Sequence, residues 1–173
     1  MANTFTLIGS NTTSTGSSVT FSGISSTYTD LLLMISARTT YTLDPYAPLN
    51  VTFNSISSGY SEKVGYGSPA NGTSGRSDGS SGNSQFQYMY VDSNTATSNT
   101  FATVEIYIPN YAGSNAKNIS YEYNPENNSA NTNFGVGTGL NTSTAAITSI
   151  TISAAGQSFV SGSSFYLYGI KNS

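Results

Sequence analysis

Apolar and polar residues alternate along most of this chain, with the two-residue period of a β-strand. The stretch 100–108 is the clearest case, because Val104, Ile106 and Ile108 share one face while Thr103 and Glu105 share the other. Such alternation predicts strands with one buried face, and no window shows apolar residues at the 3.6-residue spacing of a helix. The pattern therefore predicts an all-β protein.

Shorter runs of the same kind are spread over the whole chain. Most are closed by Gly, Ser or Asn, and Pro109 ends the run at 100–108 because it has no N–H for a strand ladder. Many short strands between polar turns are typical of an antiparallel β-sandwich or a jelly roll. The other predicted strands carry Phe5 and Leu7; Val19 and Phe21; Leu31, Leu33, Ile35 and Ala37; Val51 and Phe53; Phe86, Tyr88 and Tyr90; Ile119, Tyr121 and Tyr123; Ile150, Ile152 and Ala154; and Phe165 and Leu167.

One segment interrupts this rhythm. Residues 67–84 are almost all Gly, Ser, Asn, Thr or Pro, and a stretch of this length without alternation predicts a long loop, either functional or mobile. No charge run, heptad pattern or repeat marks a second unit. We therefore expect one β-sandwich domain over residues 1–173.

The composition is unusual for a globular domain. Ser, Thr, Asn and Gly supply 89 of the 173 residues, whereas Asp, Glu, Lys and Arg supply 8 %. Ordinary domains carry roughly 25 % charged residues, so hydroxyls and amides must hydrate this surface. The 13 Tyr and 8 Phe argue against disorder, because disordered segments lack aromatic residues.

Residue types that are absent narrow the chemistry further. The chain has no Cys and no His, which excludes thiol nucleophiles, zinc–thiolate sites and a Ser-His-Asp triad. Its five basic residues stand singly and the net charge is −3, which argues against nucleic acid as a partner. The longest apolar run, residues 31–35, is too short to span a membrane, and the first residues lack the pattern of a signal peptide. We expect a soluble protein with neither membrane nor nucleic-acid partners.

Two carboxylates close in sequence, Glu122 and Glu126, are the best candidates for acid–base chemistry. Asn124 and Pro125 separate them, and this predicts a turn with the two side chains on opposite sides. We therefore expect both to be solvated surface groups.

Three further patterns invite functional interpretations that the residues do not support. The tract 77–80 contains Asp78 but lacks the other carboxylates of a calcium loop. Ser61 and Lys63 have no motif of a Ser-Lys dyad around them, and the glycine-rich stretch 135–139 has no following Lys to bind phosphate. That stretch predicts a turn or a flexible strand end. We predict no catalytic, cofactor-binding or metal-ligating residue.

Tyrosines in predicted loops are the better candidates for a binding role. Tyr, Ser, Gly and Asn are favoured in recognition loops, because Tyr offers a large amphipathic contact area at small entropic cost. Tyr41, Tyr46 and Tyr111 lie in such predicted loops. They are our candidate partner-contact residues.

Several segments, taken in order, resemble small virion-associated proteins of tailed bacteriophages. The most specific are Ile108-Pro109-Asn110-Tyr111-Ala112 and Leu167-Tyr168-Gly169-Ile170. The others are residues 30–38, 49–54 and 147–152, so the resemblance spans about residues 30–170. Similar sequences often read Phe-Asn-Gly-Asp in the middle segment, where this chain has Phe53-Asn54-Ser55-Ile56. A contact that depends on that acidic residue is not implied here.

The resemblance implies a β-sandwich or jelly-roll component on the outer surface of a phage particle, with no enzymatic activity and no cofactor. Two placements remain open. A head-decoration protein would bind the major capsid protein, or other virion proteins, as a symmetric homo-oligomer, for which a trimer is our guess. A tail-fibre or tail-tip adhesin would instead bind a host-surface glycan or protein. We favour decoration, because no shaft or stalk pattern is visible.

Overall fold

The computed structural model describes residues 4–67, 76–127 and 133–171, and in these ranges the chain is all β, as the alternation predicts. This part of the chain contains no helix, and so none long and apolar enough to cross a membrane. Its twelve strands are β1 (Phe5–Ser14), β2 (Ser18–Ser22), β3 (Asp30–Ala37), β4 (Tyr46–Phe53), β5 (Tyr60–Gly67), β6 (Arg76–Asn83), β7 (Phe86–Asp92), β8 (Ala102–Ile108), β9 (Lys117–Asn124), β10 (Phe134–Asn141), β11 (Ser149–Ser153) and β12 (Ser163–Ile170).

The strands form two antiparallel sheets that pack face to face. The eight-stranded sheet has the order β1-β12-β3-β8-β9-β10-β5-β6, and the four-stranded sheet has the order β2-β11-β4-β7. Four strand pairs are nested along the chain: β1 pairs with β12, β2 with β11, β3 with β8, and β4 with β7. Successive pairs lie alternately in the larger and the smaller sheet. This nesting is the topology of a jelly roll. The predicted fold class is confirmed.

The core lies between the inward faces of the two sheets. On β8, Val104 and Ile106 are fully buried, and Ile106 pairs in register with the buried Leu33 of β3. Burying an aliphatic side chain of this size stabilises a fold by about 1.5–3 kcal/mol. The strand alternation therefore predicts the buried face of the central strands correctly.

Four strands, β5, β6, β9 and β10, extend the eight-stranded sheet beyond the jelly-roll pairs. Strand β6 corrects one expectation, because Arg76–Asn83 pairs with β5 where the sequence predicts a loop over 67–84. The remainder of that predicted loop, residues 68–75, lies outside the described residues. A Ser/Gly run carries no alternation that would indicate a strand. Its pairing depends on the backbone of β5, a long-range context that overrides local propensity.

The glycine-rich stretch 135–139 belongs to β10 and is neither a turn nor a strand end. A Cβ on Gly137 would lie 2.3 Å from Cζ of Tyr121, and one on Gly135 would lie 2.6 Å from the hydroxyl oxygen of Tyr123. The two tyrosine rings of β9 thus lie across β10, where side chains would otherwise stand. Only glycine leaves room for this close approach.

Candidate docking face

One face of the eight-stranded sheet points away from the core and carries most of the exposed apolar side chains. Direct register partners share a face of a sheet, and the pairs Leu7–Tyr168, Tyr168–Leu32 and Leu32–Tyr107 define one row across it. We call this surface the outer face. It carries five of the six large hydrophobic side chains that are exposed in the described residues, namely Phe5, Leu7, Met34, Phe134 and Val136. The half-buried Leu32, Tyr107, Tyr166 and Tyr168 lie among them.

The size of the outer face suits a protein partner. Eight strands at about 4.8 Å spacing span roughly 38 Å, and the four outward rows, about 6.8 Å apart, span roughly 20 Å from the first row to the last. The product, about 760 Å², is close to the roughly 800 Å² that each partner contributes to a standard protein–protein interface. Exposed apolar groups concentrated on one such surface indicate a binding site rather than random exposure.

A pair of glutamates interrupts the apolar groups at the centre of the outer face. Glu105 of β8 and Glu122 of β9 are direct cross-strand partners, with Met34 beside the first and Val136 beside the second. Like charges directly opposite each other cost roughly 0.2–1 kcal/mol. No basic residue stands beside either glutamate in this row. The row therefore offers two carboxylates, between apolar contacts, to a cationic group of a partner.

The other member of the predicted carboxylate pair, Glu126, lies in a polar cleft beyond the end of β9. Glu122 and Glu126 are both exposed, and they belong to different surfaces. The cleft has a volume of about 640 Å³ and is lined by Thr100, Thr103, Asn124, Pro125, Glu126 and Asn127. Its hydroxyls and amides can exchange hydrogen bonds with a polar ligand.

A buried carboxylate adjoins the cleft. Asp92, at the end of β7, is fully buried, and its Oδ1 accepts a hydrogen bond of 3.3 Å from Nδ2 of Asn127. Its Oδ2 has no hydrogen-bond partner among the described residues. Burial raises the pKa of this carboxyl, and the neighbouring Thr100 and Asn127 side chains and the Arg38 charge oppose the rise. Sequence patterns give no signal for this residue, because nothing near it in the chain marks it as buried.

The carboxylate of Glu62, between Ser61 and Lys63, has a structural role. Its Oε1 accepts a hydrogen bond of 2.7 Å from the backbone N–H of Gln87, and its Oε2 accepts one of 3.3 Å from that of Tyr88. The hydroxyl of Tyr121 also donates to Oε2, at 3.3 Å. Burial raises the pKa of Glu62, and these hydrogen bonds oppose the rise. Glu62 is buried between the sheets, so it binds the edge of β7 and is no part of a Ser-Lys site.

The tract 77–80 lies within β6. There the backbone N–H of Gly79 donates to Oδ1 of Asp78 at 2.7 Å. Within the described residues, no group of three or more Asp or Glu side chains is arranged to hold a metal ion.

The prediction that Tyr111 contacts a partner is wrong. Tyr111 is fully buried in the core, where its hydroxyl donates to the carbonyl of Ser25 and its own carbonyl accepts a 3.0 Å bond from Ile147. The segment after β8 folds back over the core, so a position that reads as a loop in sequence becomes an interior one. A buried Tyr111 cannot reach a partner.

The other two candidates remain accessible. Tyr41 is half-buried, and its carbonyl accepts a 2.8 Å bond from the backbone of Asn94. Tyr46 is not in a loop but opens β4, and its ring packs edge-on against Tyr90 with centroids 5.4 Å apart. Tyr90 packs in the same way against Tyr123, and burial, followed by the neighbouring Tyr46, raises the pKa of Tyr90 to about 12.

Comparison with known proteins yields only distant similarity. No protein-family profile and no curated protein matches the chain. Among solved structures, the chain is similar to scytalido-glutamic peptidase with 9 % identity and a TM-score of 0.26, covering 92 % of this chain and 66 % of that one. An engineered GH43 glycoside hydrolase has 11 % sequence identity and a TM-score of 0.33, and the match covers 96 % of this chain and 36 % of that one. A protein of unknown function from Shewanella oneidensis MR-1 has 9 % sequence identity and a TM-score of 0.24, and the match covers 100 % of this chain and 82 % of that one. Likeness this weak carries no argument about activity, and the chain spans less than two thirds of the first two proteins.

Proposed function

We propose that this protein is a non-enzymatic structural protein of a bacteriophage virion, and that it decorates the outer surface of the head. The observation that carries the proposal is the outer face, where a chain dominated by Ser, Thr, Asn and Gly presents a concentrated set of apolar side chains to solvent. A surface of this size and character suits docking to another protein. The resemblance of several chain segments to phage virion proteins supports the same function.

The partner in this proposal is the shell built from the major capsid protein. Glu105 and Glu122, flanked by Met34 and Val136, favour a shell surface that presents a Lys or Arg side chain surrounded by apolar groups. Arginine is enriched at such interfaces, since its guanidinium can bind two carboxylates at once. Many copies of one modest interface would then reinforce the shell.

The test is to find the protein on purified particles of the phage that encodes it. Electron microscopy of intact particles, with copy number from quantitative mass spectrometry, should place hundreds of copies on the head. A few copies at the tail would support the adhesin function instead, and absence from the particle would refute both.

A second experiment tests the outer face itself. Particles that lack the protein are mixed with purified wild type or with a Val136→Lys variant, which places a cation beside Glu122 and interrupts the apolar contact. We expect binding to fall at least tenfold. The matched control is Thr20→Lys, an exposed β2 position on the other sheet, which should bind like wild type. Equal binding of all three proteins would exclude the outer face as the docking surface.

The adhesin remains a second candidate because of one observation at the other end of the molecule. The accessible Tyr46 is the register partner of Asp92, whose carboxylate bonds Asn127 at the polar cleft. An accessible tyrosine ring can stack on a sugar, and the hydroxyls and amides that line the cleft can exchange hydrogen bonds with one. Binding of host polysaccharide by the isolated protein, lost in Tyr46→Ala and retained in Val136→Lys, would support it.

A further inference from the structure

The edge strands of the two sheets are β1, β6, β2 and β7, and within the described residues each of them pairs with a strand on one side only. An unpaired edge can bind a strand of another chain. Natural proteins prevent this with charges, prolines, β-bulges, very short strands or a group that covers the edge.

Three edges are protected. The edge of β7 is bound by the Glu62 carboxylate, which accepts hydrogen bonds from the N–H groups of Gln87 and Tyr88. Strand β2 has five residues, fewer than the other edge strands. Strand β6 carries Asp78 on a run rich in Gly and Ser, which pairs weakly.

Strand β1 has such protection only beyond Leu7, where its register against β12 shifts twice. It is ten residues long, contains no charged residue and no proline, and presents Phe5 and Leu7 to solvent with 54 % and 50 % exposure. Register shifts against β12 begin between Leu7 and Gly9, so the regular part of this edge lies before them. An exposed apolar edge of this kind favours pairing with a further strand.

The direction of the free backbone groups follows from one hydrogen bond. The carbonyl of Thr4 accepts a 3.0 Å hydrogen bond from the backbone N–H of Lys171, directly after β12, so the backbone groups of Thr4 point inward, towards β12. Backbone groups alternate in direction along an antiparallel strand, which directs the N–H and C=O of Thr6 inward and those of Phe5 and Leu7 outward. Within the described residues, β12 is the strand that pairs with β1, and nothing described pairs with its other side.

We propose that β1 pairs antiparallel with β1 of a second copy of this chain, about a two-fold axis at Thr6. In this register Phe5 of each copy forms a hydrogen-bonded pair with Leu7 of the other, so four backbone bonds form before the register shift. Phe5 and Leu7 then also meet as aromatic–aliphatic cross-strand pairs, which stabilise sheets. The outer faces of the two copies become one continuous surface.

A cysteine scan tests the register directly, because the chain has no cysteine of its own. Two Thr6 residues across the axis would form a non-hydrogen-bonded pair with Cα atoms about 4.5 Å apart, within the range a disulfide needs. Under mild oxidation, Thr6→Cys should form a covalent dimer of twice 18.1 kDa much faster than Thr138→Cys, a control at an exposed position on β10. Equal rates for the two variants would overturn the proposal.

The oligomeric state supplies an independent measurement. Sedimentation equilibrium at submillimolar concentration should show a monomer–dimer equilibrium for wild type. Leu7→Pro should shift it to monomer because proline removes an outward N–H, whereas Leu7→Ala loses only the side chain and should retain more dimer. A wild-type monomer throughout the concentration range, or a trimer, would refute the two-fold pairing.

Two safeguards keep the result interpretable. If circular dichroism shows that Leu7→Pro is unfolded, the cysteine scan alone decides the question. A dimer in solution does not depend on whether the partner is a phage head, so a negative result here leaves the proposed function standing.

Discussion

Replacing Glu62 by Ala removes the carboxylate that binds the edge of β7. Three donors lose their acceptor, namely the N–H groups of Gln87 and Tyr88 and the hydroxyl of the buried Tyr121. Each buried donor left unsatisfied costs about 1–3 kcal/mol, and water can reach the two half-buried backbone positions. We therefore expect a loss of about 3 kcal/mol in the free energy of unfolding, below the simple sum.

Urea unfolding followed by circular dichroism measures this loss. Glu62→Gln keeps one carbonyl acceptor and should lose less, about 1 kcal/mol. Glu122→Ala is the matched control, since the same side chain is removed from an exposed strand position. Because this also removes the repulsion with Glu105, we expect stability equal to wild type or higher by up to about 1 kcal/mol. Amide hydrogen exchange at Gln87 should accelerate in Glu62→Ala alone.

The outcome that refutes this reasoning is a Glu62→Ala variant as stable as Glu122→Ala. Such a result would mean that water or another side chain satisfies the edge of β7 without cost. The protection of that edge, on which the contrast with β1 partly depends, would then need another explanation.

Three further predictions concern the core and its polar groups. Gly137→Ala should lower the free energy of unfolding by about 1–3 kcal/mol, because its Cβ overlaps the ring of Tyr121, and urea unfolding measures this. The pKa values of Glu62 and Asp92 are raised in the folded state, so between the unfolded and the folded pKa the native protein binds more protons than the unfolded chain. Their contribution to stability should therefore be fully present below the unfolded carboxyl pKa and be lost as pH rises through the folded pKa values. Unfolding at a series of pH values checks this, and Glu62→Gln should flatten the profile. Arg38→Met should cost about 3 kcal/mol, because the guanidinium of Arg38 donates to the carbonyls of Ala96, Thr97 and Thr100, and hydrogen exchange in that loop should rise.

The sequence by itself determined the fold class and the faces of the central strands. Alternation at 102–108 and 119–123 identifies Val104, Ile106 and Tyr121 as residues that share buried faces, and the structure confirms it. This succeeds because side-chain direction in a strand is a local property with a fixed period of two.

Only the tertiary structure decided what covers each face and each edge. Phe5 and Leu7 alternate as cleanly as the core strands, yet in the part of the chain that the structure describes no second sheet covers their side, and they are exposed. Tyr111 reads as a loop residue, yet the segment after β8 folds back over the core and buries it. A period of two identifies residues that share a face, but whether that face meets protein or water depends on elements distant in the chain.

Contacts between distant segments also explain the strands and the glutamate roles that the sequence does not predict. Nothing in the letters of residues 76–83 or 135–139 indicates a strand, because their pairing depends on the backbone of β5 and on the tyrosine rings of β9. Glu62 and the outer-face pair Glu105–Glu122 acquire their roles from neighbours at least 14 residues away in sequence. Local propensity therefore determined which architecture this chain adopts, while contacts between distant segments decided which of its residues can bind a partner.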